Sequence, residues 1–331
     1  MNQIQPPTCT THFVDLPLSR MHILEAGEGE PLIMVPATIS ELENWRTLAQ
    51  FMAQWFHVYF FELPGHGQSE PFCDGFSSRK VAELVGQLAD KMGHKRFNLM
   101  GFSFGGILAM QTFKLLHHRI DRMILIAPCL GHRALPFSSL RLSLLYRANQ
   151  LLSLPNVQQK FVNLIRDPRT IAKTVKVLQK VGKLEDTIPL QEKLPRTKAS
   201  TIEVLNAQLN EILTTEFKAE LGKSEVPCYF AMSVHDPLLR FDTTHEILQN
   251  HFANLSTVKL DYPFHQPPRP FTYEELNRDF YQTVDTFIQP KDSQGVRHVQ
   301  QKVNDRVTER VSSDRSLDLP PAIDRIPALV Q

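Results

Sequence analysis

Short apolar runs alternate with amphipathic stretches along the first part of this 331-residue chain. The apolar runs are bounded by turn residues and are typical of buried strands; they cover Pro31–Val35, His57–Phe61, Phe97–Met100 and Arg122–Ala127. Between them, apolar residues recur every three or four positions, which is typical of helices; these stretches are Glu41–Phe56, Ser77–Met92 and Gly106–Leu116. The alternation predicts an α/β fold, with helices on both faces of a mostly parallel central sheet.

The strand pattern disappears between residues 131 and 224. Helical spacing of apolar residues replaces it in three places, Leu140–Leu152, Ile171–Val181 and Ile202–Leu213. We therefore expect a helical cap over residues 131–224, inserted between two parts of a sheet-forming core.

Strand character returns after the cap, at Val226–Val234 and Thr257–Leu260. The amphipathic stretch Tyr273–Ile288 then predicts a closing helix. We expect the core to comprise residues 12–130 and 225–290.

The last residues, 291–331, have a composition unlike the rest of the chain. They contain no aromatic residue and are rich in charge, Ser and Pro, a composition that buries too little surface to offset chain entropy. We expect this tail to be largely disordered. Five valines within residues 296–311 are spaced by three or four positions, which indicates an amphipathic helix that either stays in solvent or docks on a partner or a second copy of the chain.

Composition argues against several classes of protein. Thirty-six Lys and Arg against 35 Asp and Glu leave a net charge of +1, so no overall positive field favours nucleic acid. No apolar run approaches the ~18 residues of a membrane-spanning helix. The first ten residues lack a secretory signal pattern, and the four cysteines include no C-x-x-C pair. We expect a cytoplasmic protein.

The strongest chemical motif is G-x-S-x-G, in Gly101–Gly105. It follows a predicted strand and precedes a predicted helix, the setting that a nucleophile elbow requires. Glycines on either side of Ser103 allow a sharp turn that leaves the hydroxyl exposed. The alternative is that the glycines serve only a tight strand-to-helix crossing.

A serine hydroxyl is nearly inert at neutral pH and needs a base that a third group orients. Asp236 and His265 each follow a later predicted strand. The segment after the preceding strand, Ala127–Arg133, contains no acidic residue, so Asp236 is favoured by elimination as well as by position. The sequence thus predicts a triad of Ser103, His265 and Asp236.

The chain resembles the α/β-hydrolase fold superfamily over residues 12–290. Ser103, Asp236 and His265 occur in the family's order of nucleophile, acid and histidine. The loop Glu62–Ser69 is similar to the family's D-x-x-G-x-G-x-S loop, with Glu in place of Asp. The prolines after His265 and the start of the last predicted helix resemble the family's histidine turn. The resemblance implies a serine hydrolase with a helical cap that covers its substrate site.

One block departs from the family pattern. The family usually has His-Gly after the first buried strand, whereas this chain has Pro36-Ala37. The resemblance implies that the backbone N–H groups of Thr38 and Phe104 form the oxyanion hole. Losing one such donor typically costs ~10²–10³ in turnover, so the backbone angles of Ala37 decide whether this hole forms.

Two other histidines compete with His265 for the role of base. His66 lies in the Gly-rich loop and is expected to be structural or substrate-facing. His235 adjoins Asp236, but neighbouring residues at a strand end point apart. We therefore favour His265.

A metal site is not expected. His245 and His251 lie six residues apart, whereas the zinc motif H-E-x-x-H places its histidines four apart, on one helix face. No nucleotide cofactor motif is present either, so we expect no cofactor.

A basic helix face is predicted within the cap, starting near Pro168. Its six cations recur at steps of three and four, at Arg166, Arg169, Lys173, Lys176, Lys180 and Lys183. A solvated face is the simpler reading. The alternative is a surface for an acidic carrier, a coenzyme A phosphate or an anionic membrane.

These observations leave two hypotheses for function. The first is a serine hydrolase acting on a carboxylic ester or thioester, with Ala37 and Phe102 contacting substrate; Phe102, Phe104 and the apolar cap residues indicate a hydrophobic acyl group. The second is a catalytically weak or silent member of the fold that binds a ligand or protein. Acyl transfer to an acceptor other than water also stays open, because the triad is common to all these reactions.

Overall fold

The computed structural model describes residues 5–39, 41–173, 198–218, 222–267 and 269–289. Eight strands form one sheet; they are β1 (Cys9–Asp15), β2 (Arg20–Ala26), β3 (Glu30–Val35), β4 (Phe56–Phe61), β5 (Phe97–Phe102), β6 (Ile120–Ile126), β7 (Cys228–Ser233) and β8 (Leu255–Leu260). The helices of eleven or more residues in the described ranges are α1 (Leu42–Met52), α2 (Ser78–Lys91), α3 (Gly105–Leu116), α4 (Ser139–Leu152), α5 (Pro155–Arg166), α6 (Ala199–Thr214), α7 (Phe241–His251) and α8 (Tyr273–Ile288).

The sheet has the order β1-β2-β4-β3-β5-β6-β7-β8. Every neighbouring pair from β4 to β8 is parallel, and β2 is antiparallel to both β1 and β4. The predicted α/β fold with a mostly parallel central sheet is therefore confirmed. Parallel strands place their carboxyl ends along one edge, and the loops that follow β5, β7 and β8 meet there.

Helices cover both faces of the sheet. Side chains alternate along each strand; on β6, for example, Leu125 packs with residues of α2, α3 and α7, whereas Ile124 packs with residues of α1 and α8. The central strands are buried on both faces, which is why they read as continuous apolar runs in the sequence.

Two elements differ from the sequence-based picture. The β1–β2 hairpin was not predicted, because β1 is half exposed and its side chains follow no clean alternation. Helix α7 was not predicted either; its apolar residues are few, and Phe241, Ile247 and Leu248 supply its buried face. Both elements extend the core at its edges and leave the predicted site in place.

Three helices, α4 to α6, lie within the predicted cap range 131–224, and residues 168–173 are also helical. Helix α6 contacts the core through the loop after β4: Ser200 and Thr201 donate hydrogen bonds to the Gly65 carbonyl oxygen at 3.2 and 3.0 Å. Lys198 Nζ donates to the Gly67 carbonyl oxygen at 2.7 Å. The predicted tail, residues 291–331, and its valine stripe lie outside the described residues.

Apolar side chains of α4 and α5 face outward. Three leucines of α4 that lie on one helix face are exposed, Leu140, Leu144 and Leu151. On α5 and the residue before it, Leu154, Val157, Phe161 and Leu164 are exposed in the same way. The spacing of apolar residues in the sequence therefore correctly indicates helices in this region. It does not indicate that their apolar faces pack against the core.

Candidate active site

Ser103 lies on a sharp turn between β5 and α3. Its φ is 53°, in the left-handed region that a non-glycine residue adopts only when its surroundings hold it there. A Cβ on Gly101 would collide with the Gly105 carbonyl oxygen, and a Cβ on Gly105 would lie 2.8 Å from the Val35 carbonyl oxygen. The motif glycines are thus required by backbone contacts, and the turn lifts the Ser103 hydroxyl out of the sheet edge.

Hydrogen bonds to the neighbouring strand hold this turn. The Ser103 backbone N–H donates to the Ile126 carbonyl oxygen at 3.2 Å, and the Ser103 carbonyl oxygen accepts from the Cys129 N–H at 2.8 Å. The strained serine is therefore tied to the end of β6 on both sides of its Cα atom.

The three residues of the predicted triad lie in contact. His265 Nε2 is 2.8 Å from Ser103 Oγ, and His265 Nδ1 is 2.7 Å from Asp236 Oδ2. Because a carboxylate only accepts, Nδ1 carries the ring proton and Nε2 is free to accept from the hydroxyl. The side chains of Asp236 and His265 are 1% and 9% exposed, so water competes little for these bonds.

The carboxylate of Asp236 is oriented by its own turn. Its Oδ1 accepts hydrogen bonds from the backbone N–H groups of Leu238 and Leu239, at 2.8 and 3.0 Å. These bonds leave Oδ2 directed at the imidazole. The Asp236 carboxylate is therefore held in place by its own turn, independently of its bond to His265.

Ser233, the last residue of β7, bonds to both loops of the predicted triad, and sequence reasoning missed it. Its buried hydroxyl donates to the Tyr262 carbonyl oxygen at 2.6 Å and accepts from the backbone N–H groups of Tyr262 and His235, at 3.0 and 3.1 Å. It thereby joins the turn that carries Asp236 to the loop that carries His265. The available signal was a hydroxyl residue at the end of an otherwise apolar strand.

The loop after His265 is fixed at the start of α8. Thr272 and Glu275 form a reciprocal capping box. The guanidinium of Arg269 donates two hydrogen bonds to the Glu275 carboxylate, both of 2.8 Å. On its other side, the His265 ring lies 5.7 Å from the Phe102 ring, centroid to centroid.

The candidate oxyanion donors flank the serine turn. Among the hydrogen bonds of the described residues, none is donated by the backbone N–H of Thr38 or Phe104. The departure at Ala37 does not strain the loop, because Ser103 and Ala127 are the only non-glycine residues with positive φ in the described ranges. The loop contacts the start of α3, where a Cβ on Gly105 would lie 2.9 Å from the Pro36 carbonyl oxygen.

A cavity of about 530 Å³ opens beside Ser103. Ala37, Thr38, Phe102, Asp236 and His265 line it, together with many apolar side chains of the core. Of the described cap residues, only Leu205 contributes to the lining.

The Phe104 side chain, which was expected together with Phe102 to indicate a hydrophobic acyl group, does not line the cavity in the described ranges. This side chain is fully buried and packs in the core, with its ring 6.3 Å from that of Phe76, and it is absent from the described lining of the cavity. The sharp turn at Ser103 directs it to the opposite face of the sheet. Only the backbone of Phe104 stays close to the candidate site.

Glu62 fits the place where the family pattern has Asp. Its buried carboxylate accepts hydrogen bonds from the backbone N–H groups of Gln68 and Leu42, at 2.6 and 3.4 Å, and lies 3.1 Å from His22 Nδ1. A Cβ on Gly67 would collide with this carboxylate. The longer acid therefore fills the loop and joins it to the start of α1.

Neither of the two competing histidines is hydrogen-bonded to Ser103 within the described residues, where the serine hydroxyl bonds to His265. The His235 ring is exposed, and its Nε2 is 3.3 Å from Asp261 Oδ1. His66 is buried, both of its ring nitrogens lack a hydrogen-bond partner within the described part of the chain, and burial lowers its pKa to about 4. Neither histidine lines the cavity in the described ranges.

Part of the predicted basic face lies outside the described residues. Arg166, Arg169 and Lys173 fall within them, whereas Lys176, Lys180 and Lys183 do not. In the described ranges, no group of three or more His, Cys, Asp or Glu side chains is placed to hold a metal ion. No helix in these ranges has the length and apolar character needed to span a bilayer.

Residues 30–207, more than half of the chain, match the family model described as alpha/beta hydrolase fold. The chain belongs to this family. A solved hydrolase from Pseudomonas aeruginosa PA01 superimposes with a TM-score of 0.57 at 18% identity, over 85% of this chain and 98% of that one, which shows the shared fold.

Two curated relatives are similar to this chain over segments of their length. A soluble epoxide hydrolase of Corynebacterium sp. (strain C12) is 32% identical over 90 residues, which is 27% of this chain and 32% of that protein. A pimeloyl-[acyl-carrier protein] methyl ester esterase of Nitrosomonas europaea is 28% identical over 119 residues, or 35% of this chain and 45% of that protein. The chain thus matches less than half the length of these relatives.

Proposed function

We propose that the protein is a serine hydrolase that cleaves carboxylic esters, or related thioesters, through an acyl-enzyme intermediate. The observation that carries the proposal is the continuous hydrogen-bonded series from Ser103 through His265 to Asp236, with bonds of 2.8 and 2.7 Å. It stands at the edge of an apolar cavity. Membership of the α/β-hydrolase fold family supports hydrolytic chemistry of this kind.

The first half-reaction forms the acyl-enzyme. Ser103 Oγ attacks the carbonyl carbon of the substrate, and its proton passes to His265 Nε2. The backbone N–H groups of Thr38 and Phe104 donate to the negative oxygen of the tetrahedral intermediate. When this intermediate collapses, the bond to the leaving alcohol or thiol breaks and the leaving group takes the proton from Nε2.

The second half-reaction releases the acid. Water attacks the acyl carbon and gives its proton to His265 Nε2. Collapse of the second tetrahedral intermediate breaks the bond to Ser103 Oγ, which recovers the proton. Asp236 keeps the imidazole in the required tautomer and stabilises its cation in both halves.

The identity of the nucleophile distinguishes the proposed reaction from epoxide hydrolysis, which is the reaction named for one relative. The segment matched by the epoxide hydrolase covers a third of that protein, and epoxide opening in this superfamily uses an aspartate nucleophile. A serine occupies that position here, in the turn with φ of 53°. The proposal is therefore ester or thioester cleavage and not epoxide hydrolysis.

Turnover of p-nitrophenyl butyrate tests the proposal. We expect the wild type to hydrolyse it and Ser103→Ala to lose at least about 10³-fold in kcat/KM. Ser139→Ala, which changes an exposed cap serine, is the matched control and keeps wild-type turnover. Equal rates for wild type and Ser103→Ala would show that Ser103 is not the nucleophile and would reject the proposal.

Adding an alcohol acceptor to the same assay distinguishes acyl transfer from hydrolysis. Release of butyric acid as the main product supports a hydrolase. Butyryl transfer to the acceptor as the main product identifies an acyltransferase and contradicts the hydrolytic second step.

A further inference from the structure

The cavity beside Ser103 continues into the core, along the face of the sheet. Ile124 and Ile126 of β6 pair with Tyr229 and Ala231 of β7, and all four line it. Residues two apart on a strand point to the same face, so these side chains form one continuous floor. It extends from the strand ends at Ser103 toward the middle of the sheet.

Helices α1 and α8 form the two walls. On α8, Leu276, Phe280 and Val284 line the cavity, and their spacing of four residues places them on one helix face. On α1, lining residues continue over two turns, from Asn44 to Met52.

The space between this floor and the two helical walls forms a tube. Three elements give the same length for it. From Leu276 to Val284, and from Asn44 to Met52, the helical rise gives about 12 Å. From Tyr229 to Ser233 the strand rise gives about 13 Å. A C–C bond of about 1.5 Å advances about 1.25 Å along an extended zigzag chain, so an alkyl chain of about ten carbons spans this distance.

The far end of the tube is closed and apolar. Phe51, Met52 and Val284 are buried there, and the Tyr229 hydroxyl is bonded to Thr283 Oγ1 at 3.0 Å. This hydroxyl already has its partner and offers little to a ligand head group. The end therefore suits a methyl group.

Charge is lacking along the lining. Among the described residues that line the cavity, Asp236 is the only carboxylate and no Lys or Arg is present. Asp236 is held at the mouth by His265 and by its own turn. A carboxylate carried down the tube would be buried without a partner, which is strongly unfavourable.

We propose that the substrate's acyl group is an uncharged, extended chain of about eight to ten carbons that lies inside the core, between α1 and α8, and not beneath the cap. The inference rests on the proposed function, because the chain enters from the acyl position on Ser103. Val284 sets the far limit of the chain and Leu205 does not.

Acyl-chain profiling tests the proposal with p-nitrophenyl esters from butyrate to dodecanoate. We expect the wild type to prefer octanoate and decanoate. Val284→Phe fills the end of the tube and lowers the decanoate-to-butyrate ratio of kcat/KM by about tenfold or more, and Val284→Ala shifts the optimum toward dodecanoate. Thermal unfolding of each Val284 variant checks that it is folded.

Two further variants locate the chain. Leu205→Phe fills the cap side of the cavity and is expected to leave the decanoate-to-butyrate ratio close to the wild-type value. Leu151→Phe, on the exposed cap face, is the neutral control. A ratio that responds to Leu205→Phe and not to Val284→Phe would place the chain under the cap and overturn the proposal.

A matched pair of substrates tests the charge argument. The octanoyl ester and its analogue with a terminal carboxylate differ only at the far end of the chain. We expect the carboxylate to lower kcat/KM by roughly 100-fold or more. Equal turnover of the two would contradict an apolar, closed end.

Binding distinguishes failure of the tube from failure of the proposed function. Calorimetry with decanol on Ser103→Ala requires no catalysis. Binding that Val284→Phe abolishes in the Ser103→Ala background supports the tube even if no ester is hydrolysed. Binding that is absent, or unchanged by Val284→Phe, overturns the tube even if short esters are hydrolysed.

Discussion

The core and the cap carry the same kind of apolar helical pattern, with opposite outcomes. On α8, Leu276 and Val284 are buried against the sheet. On α4, Leu140 and Leu144 are 71% and 57% exposed. Spacing of apolar residues indicates a helix in both regions, but burial requires a facing surface, and in the core the sheet provides it.

This contrast assigns different roles to the two regions. The core supplies Ser103, Asp236 and His265 and nearly all of the described cavity lining, whereas the described cap residues supply Leu205. The cap contacts the core at the Gly65–Gly67 loop, through α6. We therefore expect activity and stability to respond strongly to changes in the core and weakly to changes on α4 and α5.

The largest contrast is expected in turnover. His265→Ala removes the base, and Asp236→Asn disturbs its tautomer; each is expected to lower kcat for p-nitrophenyl butyrate by roughly 10³–10⁴-fold. The cap variant Leu151→Ala is expected to keep kcat at the wild-type value. Wild-type kcat in Asp236→Asn would refute the role given to this acid.

The next effect tests the oxyanion donor from the loop after β3. Thr38→Pro removes the backbone N–H and is expected to lower kcat by about 10²–10³-fold. Thr38→Ala keeps that N–H and is the matched control, with a change of less than about threefold in kcat. Similar kcat values for the two variants, with thermal unfolding showing both to be folded, would mean that the hole is built from other donors.

Stability gives a third comparison, between a buried and an exposed leucine. Leu108→Ala, in the core helix α3 where the side chain is fully buried, is expected to lower the free energy of unfolding by about 2–5 kcal/mol. Leu144→Ala in α4 is expected to change it by less than about 0.5 kcal/mol. Urea unfolding measures both. A large loss from Leu144→Ala would show that this face of the cap is covered in solution.

The smallest effect concerns pH and the loop where the cap meets the core. Burial lowers the pKa of His66 to about 4, so below its ordinary pKa the unfolded chain binds a proton that the folded chain does not. The contribution of neutral His66 to the free energy of unfolding is complete above about pH 6.5 and is lost as pH falls toward 4. Between pH 7.5 and pH 5 this contribution falls by about 2 kcal/mol. His66→Gln is expected to lack this part of the pH dependence.

Urea unfolding of wild type and His66→Gln at both pH values checks this expectation. Other titrating groups contribute equally to the two proteins and cancel in the difference between them. An identical loss of stability in both proteins would mean that His66 gains a proton in the folded state as easily as in the unfolded one.

The location of Ser103, Asp236 and His265 at one edge of the sheet could be predicted, because it follows from chain topology. The carboxyl ends of parallel strands share one edge of the sheet, so Ser103 after β5, Asp236 after β7 and His265 after β8 were all expected at that edge. The turn at Ser103 could be predicted from its motif alone, because this turn depends only on local backbone contacts.

The cavity could not be predicted in the same way. Its shape depends on how far α1 and α8 stand apart above β6 and β7, which is a property of tertiary packing. For the same reason the sequence does not show that the Phe104 side chain packs in the core, since the sharp turn reverses the face on which the next residue lies. Ser233 was missed because its role appears only when two loops meet.

Covalent labelling with a fluorophosphonate tests the central claim most directly, since the probe needs an activated serine and no particular substrate. Ser103 Oγ displaces fluoride and bonds to phosphorus, and intact mass spectrometry detects the adduct. We expect one adduct on the wild type, none on Ser103→Ala and labelling at least about 100-fold slower on His265→Ala. No labelling of the wild type between pH 6 and 9, or equal labelling of Ser103→Ala, would contradict the claim.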